Sequence, residues 1–373
     1  MAISATPSRI LFGFCPSTAT QAANPSKTSC SSIFSGEKTS QCHEGHKLSS
    51  LIGNAAVRPG TACPLDSAIR VLQLNSDHVE LCLAANSIAN FALRPDLQRK
   101  LATYPALKVL VDCLLKTEDE SVKRFLSMAI GRLASNRALV ANLIQDPELV
   151  DALLKIATDH SSGNWRQPAR TLAIMASKAS EELQGKFCNS SMLEIVKNLL
   201  EVEQTEIQTD AILALVPFTK NAQRVRALSD ADVWTKLLTC ASHSGVSILG
   251  QLAANVMQAA LDCSVHDVLL SKEAFSALCS LSQKCREHSS SLNGTKSNPY
   301  TTVICRIFLA AREDRVLLAE YASEGAAREI SMSAQLFLRA DINCEEFSED
   351  TCGKALSNRC LSSLTAIAEQ WLQ

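Results

Sequence analysis

Cysteine and histidine are the residues of this 373-residue chain best suited to chemistry, and their spacing limits what they can do. The fifteen cysteines form no C-x-x-C pair. Cys82, Cys113, Cys263, Cys279 and Cys305 stand among apolar helical neighbours, which suits buried thiols acting as small hydrophobes in a reducing compartment. Cys42-His43-x-x-His46 has ligand-type residues, but no second Cys/His pair follows at zinc-finger spacing, so no metal is expected there. His78, His160, His243 and His266 lie near helix ends or connections and His288 in a polar stretch, as solvated histidines do. No nucleophile elbow, phosphate-binding loop, kinase signature, H-E-x-x-H or dinucleotide fingerprint occurs. The reading is a non-enzyme without cofactor, so any function must come from surfaces that helices present.

Those helices announce themselves in composition. Hydrophobic residues make up 46% but aromatics only 5%, and 13 glycines are few for this length. The apolar content is mostly Ala and Leu, the residues helices tolerate best. Sandwiches, barrels and Gly-rich phosphate cradles are disfavoured, and the chain reads as all-α. A formal charge of −2 argues against a nucleic-acid binder relying on a general basic field. No apolar run reaches the roughly 18 residues of a membrane span.

A repeat organises the rest. The segments LAANSIANFA, FLSMAIGRLA, QPARTLAIMA, TDAILALVPF and QLAANVMQAA start at residues 83, 125, 167, 209 and 251, each 42 after the last. Their core column is Ile88, Ile130, Leu172, Ala214, Val256, beside a small-residue column of Ala85, Ser127, Ala169, Ala211, Ala253. After each copy comes a short helical pattern (PDLQRKLA, NRALVANLI, EELQGKF, AQRVRAL, VHDVLL). An amphipathic stretch follows it (ALKVLVDCLL, ELVDALLKIA, MLEIVKNLL, DVWTKLLTCA, EAFSALCSLS). In the first of these, Leu107, Leu110, Val111 and Leu114 form one helical stripe. No unit can bury its apolar face alone, so neighbours must stack.

Three helices every 42 residues resemble the armadillo repeat, over roughly residues 66–340. The resemblance implies a right-handed α-solenoid of about six three-helix repeats behind a disordered N-terminal segment. The glycine that such repeats carry between their first two helices is replaced here by Tyr104, Asp146, Asn189 and Asp230, with Gly325 in the last copy. Asn and Asp tolerate the turn conformations involved. The Trp-and-Asn ladder by which nuclear-import receptors hold basic peptides is missing, apart from Asn90.

By analogy with armadillo arrays, a concave groove lined by the third helices would present pairs four residues apart: Asn86 and Asn90, Met128 and Arg132, Arg170 and Ile174, Ile212 and Val216, Ala254 and Gln258. Asn86, Asn90, Arg132 and Arg170, with Lys123 and Arg124 beside them, would make a polar, basic N-terminal half, with Ile174, Ile212 and Val216 an apolar continuation. Asn can bond a peptide main chain and Arg can grip a carboxylate bidentately. The expected function is therefore a scaffold or adaptor for a protein or extended peptide. LCLAANSIANFALRPDLQRKL followed by ALKVLVDCLL is also similar to armadillo-type GDP-dissociation stimulators, which implies a small GTPase as an alternative partner.

The domain reading is residues 1–65 as a tail, 66–282 as repeats, 283–299 as a polar loop, and 300–373 as a last repeat and helical cap. The first 36 residues lack Asp and Glu and are rich in Ser, Thr, Ala and Pro, with Arg9 and Lys27 their basic residues. They read either as a disordered tail, in a cytoplasmic protein, or as a plastid- or mitochondrion-directed transit segment of an organellar factor. The acidic cluster Asp341, Glu345, Glu346, Glu349, Asp350 and an amphipathic helix ending near Trp371 read as the solvated cap.

Overall fold

A computed structural model describes residues 63–332, apart from 75–76, 161–162, 244–247, 265–266, 269, 291–298, 312–315, 317–319 and 322–326. The Cys42, His43 and His46 group, the N-terminal tail, the acidic cluster and the Trp371 helix lie outside the described residues. The helices belong to one compact unit, Ala55–Gln373. They are α1 (Pro64–Leu74), α2 (His78–Phe91), α3 (Pro95–Leu101), α4 (Tyr104–Lys116), α5 (Glu120–Ala134), α6 (Arg137–Gln145), α7 (Pro147–Thr158) and α8 (Arg166–Lys178). After these come α9 (Glu181–Gln184) with a 3-10 turn (Gly185–Phe187), α10 (Ser190–Leu200), α11 (Thr205–Leu213) with a 3-10 turn (Val216–Lys220), and α12 (Ala222–Asp230). The series ends with α13 (Val233–His243), α14 (Ile248–Cys263), α15 (Lys272–Ser290) and α16 (Pro299–Ala311).

Local chemistry sets the helix starts. Asp77 accepts from the amides of Val79 and Glu80, Asp119 from Val122, and Asn221 from Gln223, so exposed amides of the first turns find partners. Pro95, Pro105 and Pro147 occupy first-turn positions, where a missing N–H costs nothing. Asp146 and Asn189 cap α7 and α10 through Leu149 N and Met192 N, at 3.2 and 2.9 Å. Both stand where the resemblance places glycine, and both keep negative φ. The left-handed turn falls instead at Asp232, two residues beyond the expected Asp230, with φ 53°.

Two ladders of helices run side by side. The long third helices α2, α5, α8, α11, α14 and α16 pack each on the next, as do the second helices α1, α4, α7, α10, α13 and α15. Short helices link them, giving four complete triplets flanked by two helix pairs among the described residues. One apolar core runs from Leu65 to Ile330, with Ile88, Ile130, Leu172 and Ala214 fully buried. This is an all-α solenoid of armadillo-like repeats, and its periodic columns are its core.

Three local expectations are corrected. TDAILALVPF is not one helix: Pro217 supplies no N–H and disfavours α geometry at Val216, so α11 stops at Leu213 and a 3-10 turn follows. VHDVLL forms no helix among its described residues. There, Asp267 receives Arg226 at 2.7 Å and Ser264 Oγ at 2.6 Å instead. The polar stretch from Gln283 does not begin a loop, because α15 continues to Ser290, with Gln283 bonded to Glu287 one turn on and Arg286 paired with Glu329.

Candidate partner-binding face

On α2, Asn90 is exposed and Asn86 half-buried, one turn apart on the same helix face. No protein group among the described residues takes up either side-chain amide. The basic positions differ. Arg132 on α5 donates Nη1 to the Ala89 carbonyl of α2. Burial holds its guanidinium below the usual arginine range. Arg170 on α8 donates Nε to Asp210 Oδ2 of α11 at 2.7 Å, with both side chains at most a third exposed. Each arginine thus ties one third helix to a neighbour. The expectation that both point free guanidinia at a partner is corrected.

The apolar continuation is also corrected. Ile212 is 0% exposed and Ile174 9%, so both belong to the core between rungs. Val216 is half-buried in the 3-10 turn. Ala254 is buried, and Gln258 bonds Asp262, which also receives Arg306 of α16. What the face keeps open is Asn86 and Asn90, half-buried Met128, and two exposed arginines, Arg124 and Arg166. Arg166 escapes the ladder analogy because it lies one turn before the ladder positions. The signal that finds it is its 42-residue offset from Arg124.

Beside Arg166 a cleft of about 630 Å³ opens between the start of α8 and the end of α10, lined by His160, Trp165, Asn198, Glu201 and Glu203. His160 meets Trp165 edge-on at 5.2 Å, and its Nε2 lies 3.2 Å from Asn198 Nδ2. None of the cleft's described lining residues is a Ser, Thr or Cys.

The cysteines follow the same logic. Burial pushes the Cys240 thiol up to about 11 and the Cys305 thiol up to about 12. Burial raises Cys113 and Cys188 too, away from the thiolate a nucleophile needs. Among the described residues no group of three His, Cys, Asp or Glu is arranged to hold a metal, and no helix is long and apolar enough to cross a membrane.

No family model matches the chain, and no curated protein matches it either. Solved structures do resemble it at low identity. A designed armadillo repeat protein is 19% identical, covering 65% of this chain and 98% of its own, with a TM-score of 0.44. A structure of computationally designed armadillo repeat proteins for modular peptide recognition is 18% identical, covering 71% and 99%, with a TM-score of 0.44. A designed armadillo repeat protein in complex with a (KR)4 peptide is 19% identical, covering 71% and 98%, with a TM-score of 0.43. The armadillo-like character of this chain stands on its own helices: a short, a second and a long third helix, recurring every 42 residues in two packed ladders.

Proposed function

We propose that the protein is a non-enzymatic scaffold that holds an extended segment of a partner protein along its third helices. The observation that carries this reading is the pair Asn86 and Asn90, whose amides lie one turn apart on α2 with no protein partner among the described residues. A side-chain amide offers two donors and an acceptor, the complement of an extended backbone. Other polar groups of this face are consumed between rungs, as Arg170 by Asp210 and Arg306 by Asp262, though Arg124 and Arg166 stay open. A reducing setting such as the cytoplasm suits buried thiols like Cys279 and Cys305.

A displayed library of random dodecapeptides, panned on the full chain, tests the reading. Peptides should be enriched, and their affinity should fall about tenfold in the Asn86→Ala/Asn90→Ala variant, the loss of two bonds of about 0.7 kcal/mol each. Asn90 is exposed and half-buried Asn86 bonds no protein group among the described residues, so the melting temperature should hold. Enrichment of nothing, or of peptides indifferent to both asparagines, would refute it.

A further inference from the structure

Arg124 and Arg166 occupy the same repeat position in successive third helices, 42 residues apart. The register between those helices is fixed at two points. Near their starts, Asn164 Nδ2 donates to Glu120 Oε2 at 3.3 Å, and further along, Thr171 Oγ1 donates to the Ser127 carbonyl at 2.8 Å. Arg124 and Arg166 lie between these links on adjacent helices, Arg124 in the second turn of α5 and Arg166 at the first residue of α8. Both are exposed, and neither has an ion-pair partner among the described residues. Each is laid on an aromatic ring: Arg124 Cζ is 5.1 Å from the Phe125 centroid, and Arg166 Cζ is 5.9 Å from that of Trp165. Phe125 and Trp165 themselves pack against the core. A guanidinium resting on a fixed ring keeps its donor fork free while losing some of its rotamer freedom beforehand.

We propose that this pair reads an acidic segment of the partner, one whose carboxylates are two or three residues apart in an extended chain. The inference rests on the peptide-holding reading above and names the chemistry of its ligand. Adjacent packed helices lie about 8–10 Å apart, and an extended chain advances about 3.3 Å per residue, so two or three residues bring successive carboxylates to successive forks. Lys123 adds a third positive charge beside Arg124. Arg132 and Arg170 do not compete for this role, since a carbonyl and Asp210 already engage them. A nucleic-acid strand would use the same arginines and rings. It fits worse, because the cleft next to Arg166 carries Glu203, with no basic partner among the described residues, beside Glu194 and Glu201, which pair with Lys197 and Lys236, and that leaves a net acid facing a continuous phosphate backbone. A peptide places its charges singly and can turn neutral residues toward those glutamates.

The dodecapeptide selection on the full chain discriminates. Enriched peptides should carry Asp or Glu at spacings of two or three. Titrated by anisotropy at low salt, they should bind the Arg124→Gln/Arg166→Gln variant about tenfold more weakly, with the gap narrowing as salt screens exposed charges. Arg124→Lys/Arg166→Lys should fall between the two, since an ammonium keeps the charge but loses the fork. Melting temperatures should not move, both side chains being exposed. Enriched peptides that are neutral or basic, an unchanged affinity in the Gln variant, or displacement of the peptides by equimolar oligouridylate would each overturn the acidic assignment while leaving the groove intact. Failure of the groove itself reads differently: no peptide is enriched, or the Asn86→Ala/Asn90→Ala variant binds as wild type.

Discussion

Arg170 shows how one residue's role turns on a partner forty positions away. Its Nε sits 2.7 Å from Asp210 Oδ2, and at 33% and 21% side-chain exposure the pair is shielded enough to contribute more than an open surface contact. Replacing Arg170 by Glu puts two carboxylates face to face across the α8–α11 contact. It should lower stability by about 1–2 kcal/mol, and the exchanged pair Arg170→Glu/Asp210→Arg should recover most of that loss. Urea midpoints of the two single variants and the exchanged double form a cycle that measures it. Additive losses, with no recovery in the double, would mean the pair contributes nothing. A binding defect in Arg170→Glu is therefore read only after stability is matched. The role of Arg170 is illegible in sequence because Asp210 leaves no local mark near it. Asn86 and Asn90 are legible, since both sit on one turn of one helix. Ile212 misleads for the opposite reason: a ladder position found by counting falls on the buried side of α11, as Ile174 does on α8.

At the scale of elements, the closeness of α5 and α8 depends on one missing side chain. A Cβ built on Gly131 would lie 2.8 Å from Thr171 Oγ1, whose hydroxyl is bonded to the Ser127 carbonyl at 2.8 Å. In an open helix Gly→Ala gains about 1 kcal/mol of helix propensity. Here Thr171 is fully buried, and moving it breaks its bond, so the sign reverses. Gly131→Ala should destabilise by about 1–2 kcal/mol in urea unfolding, and Thr171→Ala in the same background should return part of it. A stabilised Gly131→Ala variant would show that the contact between these helices has slack. The same scale explains what the 42-residue columns make legible. Small residues at a fixed helical position dictate close stacking, so the two ladders follow from the repeat. Where the chain departs from it, single residues decide locally: Pro217 cuts a helix short, Asp232 takes the left-handed turn, and Gln283 with Glu287 carries α15 past the expected loop.

For the whole molecule, a solenoid gathers its stability mainly from neighbour on neighbour, so it opens from whichever end is held least. The C-terminal rungs carry polar anchors that the column pattern does not supply. Tyr321 stacks on Phe275 at 4.0 Å, and its hydroxyl both receives the Leu270 N–H at 3.0 Å and donates to the Leu270 carbonyl at 2.6 Å, across 51 residues of chain. Tyr300 donates to the Gly250 carbonyl at 2.7 Å, and Arg286 grips Glu329, whose side chain is 4% exposed. The Tyr321 bonds stand where the short helix of the rung is lost, since the backbone around Leu270 needs partners that a helix would have given it. Tyr321→Phe keeps the stacked ring but strands a buried N–H and carbonyl, at a cost of about 1–3 kcal/mol. In a solenoid that loss should be local. Hydrogen exchange by mass spectrometry should show faster exchange in α15 and α16, while α5 and α8 keep wild-type protection. Equal acceleration along all the helices would mean instead that the chain unfolds as a single cooperative block, with the Tyr321 anchor acting on the whole of it.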